Sequence, residues 1–213
     1  MSQGEQPTFS SVIQAHIEQR LCDLHVALPA SIVTYDRAQQ KASVQPLLKR
    51  QRSDGTLITW PIVNNVPVMF PRSGKFSLTF ELVKDDSGLI VISERSLDKW
   101  LSSGGLVDPA DFRKFDISDA VFIPGLFAFN DSAPAEANIA KLANDKTEIA
   151  MTEDGKVRLK NLNSGEELVT VLVDLVDDLI NALIRTAIGP QPFVPSTVSA
   201  LNDIKSRLET LKE

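Results

Sequence analysis

The sequence predicts a mainly β chain with α-helices at its two ends, and three observations support that expectation. Six short runs rich in β-branched and aromatic residues follow one another between Ser31 and Phe127, separated by turn residues. Thr147–Asn161 alternates apolar and polar residues on either side of Asp154-Gly155. From Glu166 onward the apolar residues recur instead at three- and four-residue steps, the period of a helix. In order, the chain divides into an N-terminal helix (1–27), a β domain (28–129), a linker with a β shaft (130–165) and a C-terminal helical hairpin (166–213).

Composition narrows the function. The 213 residues, 43% of them hydrophobic, suffice for an ordinary packed core. A net charge of −6 repels a phosphate backbone on average, so nucleic acid is not an expected partner. Cys22 is the single cysteine and His16 and His25 are the only histidines, so neither an intrachain disulfide nor a Cys/His zinc set can form. No stretch reaches the roughly 18 uninterrupted apolar residues of a membrane span. The first residues lack the basic and apolar regions of a signal peptide, so folding in a cytosol is expected. Neither a metal nor a cofactor is expected.

From Phe9 to Leu24 the residues Phe9, Val12, Ile13, Ile17, Leu21 and Leu24 keep helical spacing behind Ser10 and Ser11, which are placed to cap the helix. His16 and Cys22 lie in or beside this stripe. Six-residue spacing puts them on opposed faces, so they read as packed or solvent-edge residues and not as a ligand pair.

After Pro29 come "SIVTYD", "KASVQPLLKR", "TLITWPIVNNVPVMF", "FSLTFELV", "GLIVISE" and "DAVFIPGLF". Five or six strands in about a hundred residues predict a small barrel or sandwich. Asp36–Gln40 reads as the first hairpin loop and Ser53-Asp54-Gly55 as a stronger turn signal. Pro46, Pro61, Pro67 and Pro71 cannot donate to a ladder and belong at strand edges, starts or bulges. Many bulges are what a strongly curved small barrel requires.

"VISERSLDKWL", Val91–Leu101, gathers Ser93, Glu94, Arg95, Ser96, Asp98 and Lys99 within seven positions, the nucleophile-like, acidic and basic residue types of an active site. The structural reading is simpler. A strand passes into a helix that carries Leu97, Trp100 and Leu101 on one side, with Ser96 as its N-cap and Asp98 in the first turn. A catalytic serine would need a base within reach, and no histidine is near in sequence.

Asn130–Lys146, rich in Ala, Asn and Asp, reads as a linker or a thin extended segment. In "TEIAMTEDGKVRLKN" a three-residue loop, Glu153–Gly155 with Gly155 left-handed, pairs Met151 with Val157 and Ile149 with Leu159 on one apolar face. A lone hairpin with such a face is marginal in water, so something must cover it.

Glu166–Ile188 carries two heptad seams. One is Leu168, Leu172, Leu175, Leu179 and Ala182; the other is Val169, Val173, Val176, Ile180 and Leu183. Gly189 at the C-cap and Pro190, Pro192 and Pro195 are expected to end that helix. Ser196 is placed to cap a second one, carrying Val198, Leu201, Ile204, Leu208 and Leu211. Five apolar residues cannot cover two seams, and self-association is the simplest source of the missing cover. The mixture of Leu and β-branched residues is compatible with a trimer.

Three classes of function compete. A nucleic-acid module would use Lys49, Arg50 and Arg52 with Trp60 as a stacking platform. A hydrolase would need paired carboxylates in a cleft, yet Asp85-Asp86, Glu166-Glu167 and Asp177-Asp178 fall in turns or on polar helix faces. A structural protein needs only self-complementary surfaces, and the pattern favours it.

The runs "LPASIVTYDRAQQKASVQPLLKR", "VPVMFPRSGKFSLTFELVKDDSGLIVISERSLDKW" and "FDISDAVFIPGLF" resemble the N-terminal oligonucleotide-binding (OB) domain of central spike proteins at the baseplate of contractile-tailed phages and related injection particles. The resemblance covers about Leu28–Phe127. It implies a homotrimer whose three OB domains form a ring beneath the tail tube, continuing into an intertwined β shaft, with no enzyme activity. Three copies of the hairpin around an axis would turn Ile149, Met151, Val157 and Leu159 inward and leave Thr152, Lys156, Arg158 and Lys160 in water. Long-shafted relatives end in an iron-holding His-x-His apex. No histidine follows His25, so that apex is absent here and a trimeric helical bundle stands in its place.

The expectation is therefore a non-enzymatic virion protein of the tail baseplate, assembled in the host cytoplasm. Its partners would be its own copies, tail-tube and baseplate hub proteins, a separate tip protein if the bundle is a socket, and transiently the host envelope. The alternative is an OB module for single-stranded nucleic acid, whose affinity would depend steeply on salt.

Overall fold

The computed structural model of the chain describes residues 8–22, 24–52, 55–131, 135–186 and 188–210. The chain is mainly β with several helices and forms two compact units that divide after residue 132.

The first unit contains α1 (Phe9–Cys22), β1 (Ala27–Asp36), β2 (Lys41–Pro46), β3 (Arg50–Gln51), β4 (Leu57–Ile58), β5 (Val63–Pro67), β6 (Arg72–Ser73), β7 (Phe76–Ser77), β8 (Ser87–Ile92), α2 (Asp98–Ser103) and β9 (Ala120–Pro124). Its main sheet is antiparallel in the order β5-β2-β1-β8-β9. Register shifts between Ile32 and Thr34 on β1 and between Ala42 and Val44 on β2 curl it. The chain just past β5 then reaches β9 through a parallel bridge, Val68 to Phe122, with the Met69 N–H donating to the Phe122 carbonyl at 2.8 Å. The result is a curled half-barrel.

Alternate residues fill its interior, Ala30 and Ile32, Ala42 and Val44, Ile90 and Ile92, Ala120 and Phe122, joined by Val63 and Val66 three positions apart on β5, and all are buried. Only one of these is aromatic, as a tight curve demands. Gly88 makes room for that ring, because a Cβ there would overlap the fully buried Phe122 side chain and the Ile123 carbonyl. Asp36 closes the β1–β2 loop as expected, its Oδ1 accepting from Ala38 N at 2.9 Å and Gln39 N at 3.2 Å. Gly55 has φ 83°, while Ser53 and Asp54 lie outside the described residues. Pro46 and Pro67 end their strands.

Three expectations for this unit need correction. "FSLTFELV" is not a full strand: only Phe76–Ser77 pairs, with Arg72–Ser73. Asp86 Oδ2 accepts from Val83 N at 2.7 Å, which gives that backbone an alternative to a ladder, while Leu82 still reaches the core. Helix α1 is capped by Thr8 and not by Ser10 or Ser11: Ser11 N donates to Thr8 Oγ1 at 3.2 Å. All its side chains from Phe9 to Leu21, His16 included, are exposed.

The third correction concerns Ser96. The residue at the N-cap of α2 is Leu97, without a side-chain bond. Its N–H donates to Asp119 Oδ1 at 2.9 Å, so a buried carboxylate from beside β9 has taken the role. Ser96 is buried instead and accepts from Arg113 Nη2 at 2.8 Å. Arg113 also pairs with Asp98 at 2.6 Å, Asp111 at 3.0 Å and Asp119 at 3.5 Å. The polar cluster is a brace for the segment, built around an arginine that lies 15 to 17 positions downstream of it.

The second unit contains β10 (Ile139–Ala143), β11 (Thr147–Thr152), β12 (Val157–Asn161), α3 (Leu168–Asn181), β13 (Leu183–Thr186), β14 (Gly189–Pro192) and α4 (Pro195–Glu209). The segment read as a linker or a thin extended segment thus holds a strand, and the sheet order is β10-β11-β12. Asn144 makes the connecting turn, its Oδ1 accepting from Lys146 N at 2.8 Å and Thr147 N at 2.7 Å. The β11–β12 register is the expected one: Met151 faces Val157, Ile149 faces Leu159, and Gly155 has φ 84°.

Helix α3 ends at Asn181, seven residues before the expected Ile188, and the chain turns back as the hairpin β13–β14. Pro190 and Pro192 do not stop a helix here. They alternate along β14 opposite Arg185 and Leu183, positions at which a strand needs no N–H toward its partner. Gly189 serves that hairpin with φ 108°. Pro195 opens α4 at its first turn behind Val194, and Ser196 is not the cap. Leu211 lies outside the described residues.

Glu167 caps α3, accepting from Val169 N at 3.0 Å and Thr170 N at 2.7 Å. Burial works against its charge, but the N–H donors of Val169, Thr170 and Leu159 outweigh it and hold the carboxyl below its ordinary range. A lowered folded value means stability that is present above the unfolded value of about 4.3 and lost as pH falls through the folded one. Glu167→Ala should therefore cost about 1 kcal/mol at pH 7. Paired melts at pH 7 and pH 3 should show the gap between wild type and variant closing in acid; a gap independent of pH would count against the cap.

Candidate subunit interface

Directly opposed residues of an antiparallel sheet share a face. In the β10-β11-β12 sheet one face is therefore made of two rows, Leu142–Ile149–Leu159 and Ala140–Met151–Val157. Every member is apolar. Leu142, Ile149, Met151 and Val157 are exposed, Met151 by 59%, and Leu159 is half-buried.

The opposite face carries the charge, and it is closed. Ala150 and Glu148 are buried there. Arg158 Nε lies 2.5 Å from Glu148, and Lys141 lies 3.5 Å from it. Glu136 joins them, 2.6 Å from Lys141 and 3.2 Å from Arg158. The hydrogen bonds from Lys141 and Arg158 hold the Glu136 carboxyl below its ordinary range, and the bond to Glu136 pushes the Lys141 ammonium up. Arg158, expected in water, is instead only 20% exposed. The sheet satisfies its ions internally and leaves its apolar side open.

The helical hairpin repeats this division. Helix α3 packs against α4, with Lys205 Nζ 2.8 and 2.7 Å from the two oxygens of Asp177. On the second seam Val173 and Val176 are buried and Val169 and Ile180 are half-buried. On the first, Leu168, Leu172, Leu175 and Leu179 are all exposed, Leu175 by 53%. Leu183 has left the helix and is exposed in β13. The sequence had treated the two seams alike, because spacing shows that a face is apolar but not which neighbour claims it. Leu142 and the whole of β10 were missed, since two large apolar residues in five give little signal of alternation.

The competing sites gain little. Arg50 lies over the Trp60 ring at 5.7 Å and His25 meets it edge-on at 4.8 Å, so one face of the indole is already taken by the chain's own cation. Of the carboxylate pairs, Asp86, Glu167 and Asp177 each hold a structural partner. Among the described residues no group of three His, Cys, Asp or Glu side chains could hold a metal, and no helix is long and apolar enough to cross a membrane.

Residues 28–125 match the family model described as the phage protein Gp138 N-terminal domain. The half-barrel is similar to a phage-protein domain. The matched stretch runs from β1 to β9 and stops short of the open sheet face and the leucine row. Among curated proteins, none matches the chain.

Proposed function

We propose that this chain is a structural virion protein, a homotrimeric central spike or hub at the tail baseplate, without catalysis of its own. The carrying observation is in the second unit, where Glu136, Lys141, Glu148 and Arg158 pair among themselves while one sheet face and the leucine row of α3 leave large apolar side chains in water. Further support comes from the phage-type half-barrel. Its strand order, with one parallel bridge joining the sheet's two ends, suits the five-stranded OB barrel of this reading.

The role is mechanical. Three barrels would make a ring that matches the tail tube, the β10-β11-β12 sheets would turn their apolar faces to a common axis as a short shaft, and the helices would close the end as a bundle. Sheath contraction drives this plug outward against the host envelope. Its neighbours are the tube and hub proteins, and the bundle either forms a blunt tip or seats a separate tip protein. Antibody against the chain should label the baseplate end of purified virions in electron micrographs. Label on the capsid, or none on intact and disrupted particles alike, would overturn the placement.

A further inference from the structure

Helix α3 packs against α4 and β12 with its valine seam buried and its leucine seam in water. We infer that α3 lines the molecular axis, meeting α3 of the other copies in parallel through Leu168, Leu172, Leu175 and Leu179, with α4 as an outer layer. This rests on the self-association proposed above and adds which helix lies inside and in which direction it runs.

Spacing chooses the occupant. The four-three-four steps from Leu168 to Leu179 keep the row in line for a helix of the same period, which another copy of α3 supplies. The unpartnered stripe of α1 is different. Ile13, Ile17 and Leu21 follow at four-residue steps, so the stripe drifts about 40° per step and makes no straight seam. Helix α4 has no second apolar row to offer, since Val198, Leu201 and Leu208 are already half-buried and Ser199 and Ser206 are among its exposed residues.

Area and continuity give the rest. Eight large apolar side chains of the sheet face and the α3 row stand between 37% and 59% exposed. Together they leave about 700 Å² per chain, close to one side of a standard interface. The helix row alone offers about half of that, too little for an independent docking site. Strand β12 leads into α3 through the bridge between Lys160 and Glu167. A rotation axis that gathers the sheet faces therefore continues into the helices, and copies related by such an axis point the same way.

Cysteine cross-linking of the full chain in a Cys22→Ser background tests this. Leu168→Cys, at one end of the row, should join chains pairwise with a short bismaleimide to a plateau of about two thirds, since one thiol of every three lacks a partner. Ser206→Cys on α4 should stay uncrosslinked. Cross-linking through Ser206→Cys but not Leu168→Cys, in material that remains a trimer by mass, would overturn the inside-outside assignment and leave the trimer standing. Equal cross-linking at both sites would overturn it too. No cross-linking at either site in a single-chain species would remove both readings.

Discussion

Met151→Asp is expected to reduce the particle to single chains or to prevent the second unit from folding, the largest effect of any single change considered. Met151 sits at the middle of the open sheet face, between Ala140 and Val157. In an isolated chain the new carboxylate would stand in water and cost almost nothing. Around a three-fold axis three carboxylates would be confined together against apolar side chains, and each would lose its hydration without gaining a cation, a penalty of several kcal/mol per charge. Sedimentation velocity with far-UV circular dichroism separates the outcomes. A slow, folded species or an unfolded one fits the account; unchanged sedimentation and melting would show that the face is not buried.

Gly88→Ala tests the other unit and should strike it without touching any interface. The glycine is buried in β8 and is not there for an unusual backbone angle; the missing Cβ is what matters. An added methyl meets the Phe122 ring and the Ile123 carbonyl, one fully buried and the other part of the β8–β9 ladder. Neither can retreat cheaply. Overpacking of this kind costs about 1–3 kcal/mol and sometimes more, which for a domain of this size lowers the melting temperature by roughly 5–20 °C. An unchanged melt would mean that the half-barrel is looser than its close approach at Gly88 implies. The fraction of chains in the proposed trimer, measured below the melt, should stay the same.

The five strands of the main sheet were legible because each brings its own alternation or turn chemistry: Asp36 and Gln40 mark a loop, and Pro46 and Pro67 sit where strands stop. The register of the β11–β12 hairpin could be read from pattern alone, since a slip of one residue would put Arg158 opposite Met151. What could not be read depended on distant partners. Asp119 took the cap from Ser96 across 22 residues, and Asp86 drew Val83 out of a ladder. The early end of α3 had a local cause in principle: "LIRTAIGPQP" contains β-branched residues and alternating prolines that suit an edge hairpin. Apolar spacing alone favoured more helix. For the candidate interface, sequence identified the apolar residues, and the fold decided which of them the chain covers for itself. Val173 and Val176 went inward and Leu172 and Leu175 did not.

The central claim is that the open sheet face and the leucine row are closed by two further copies of this chain. Multi-angle light scattering on the purified full-length chain at micromolar concentration measures that directly. The account predicts three times 23.4 kDa, about 70 kDa; a folded, monodisperse species at the 23.4 kDa of one chain would contradict it.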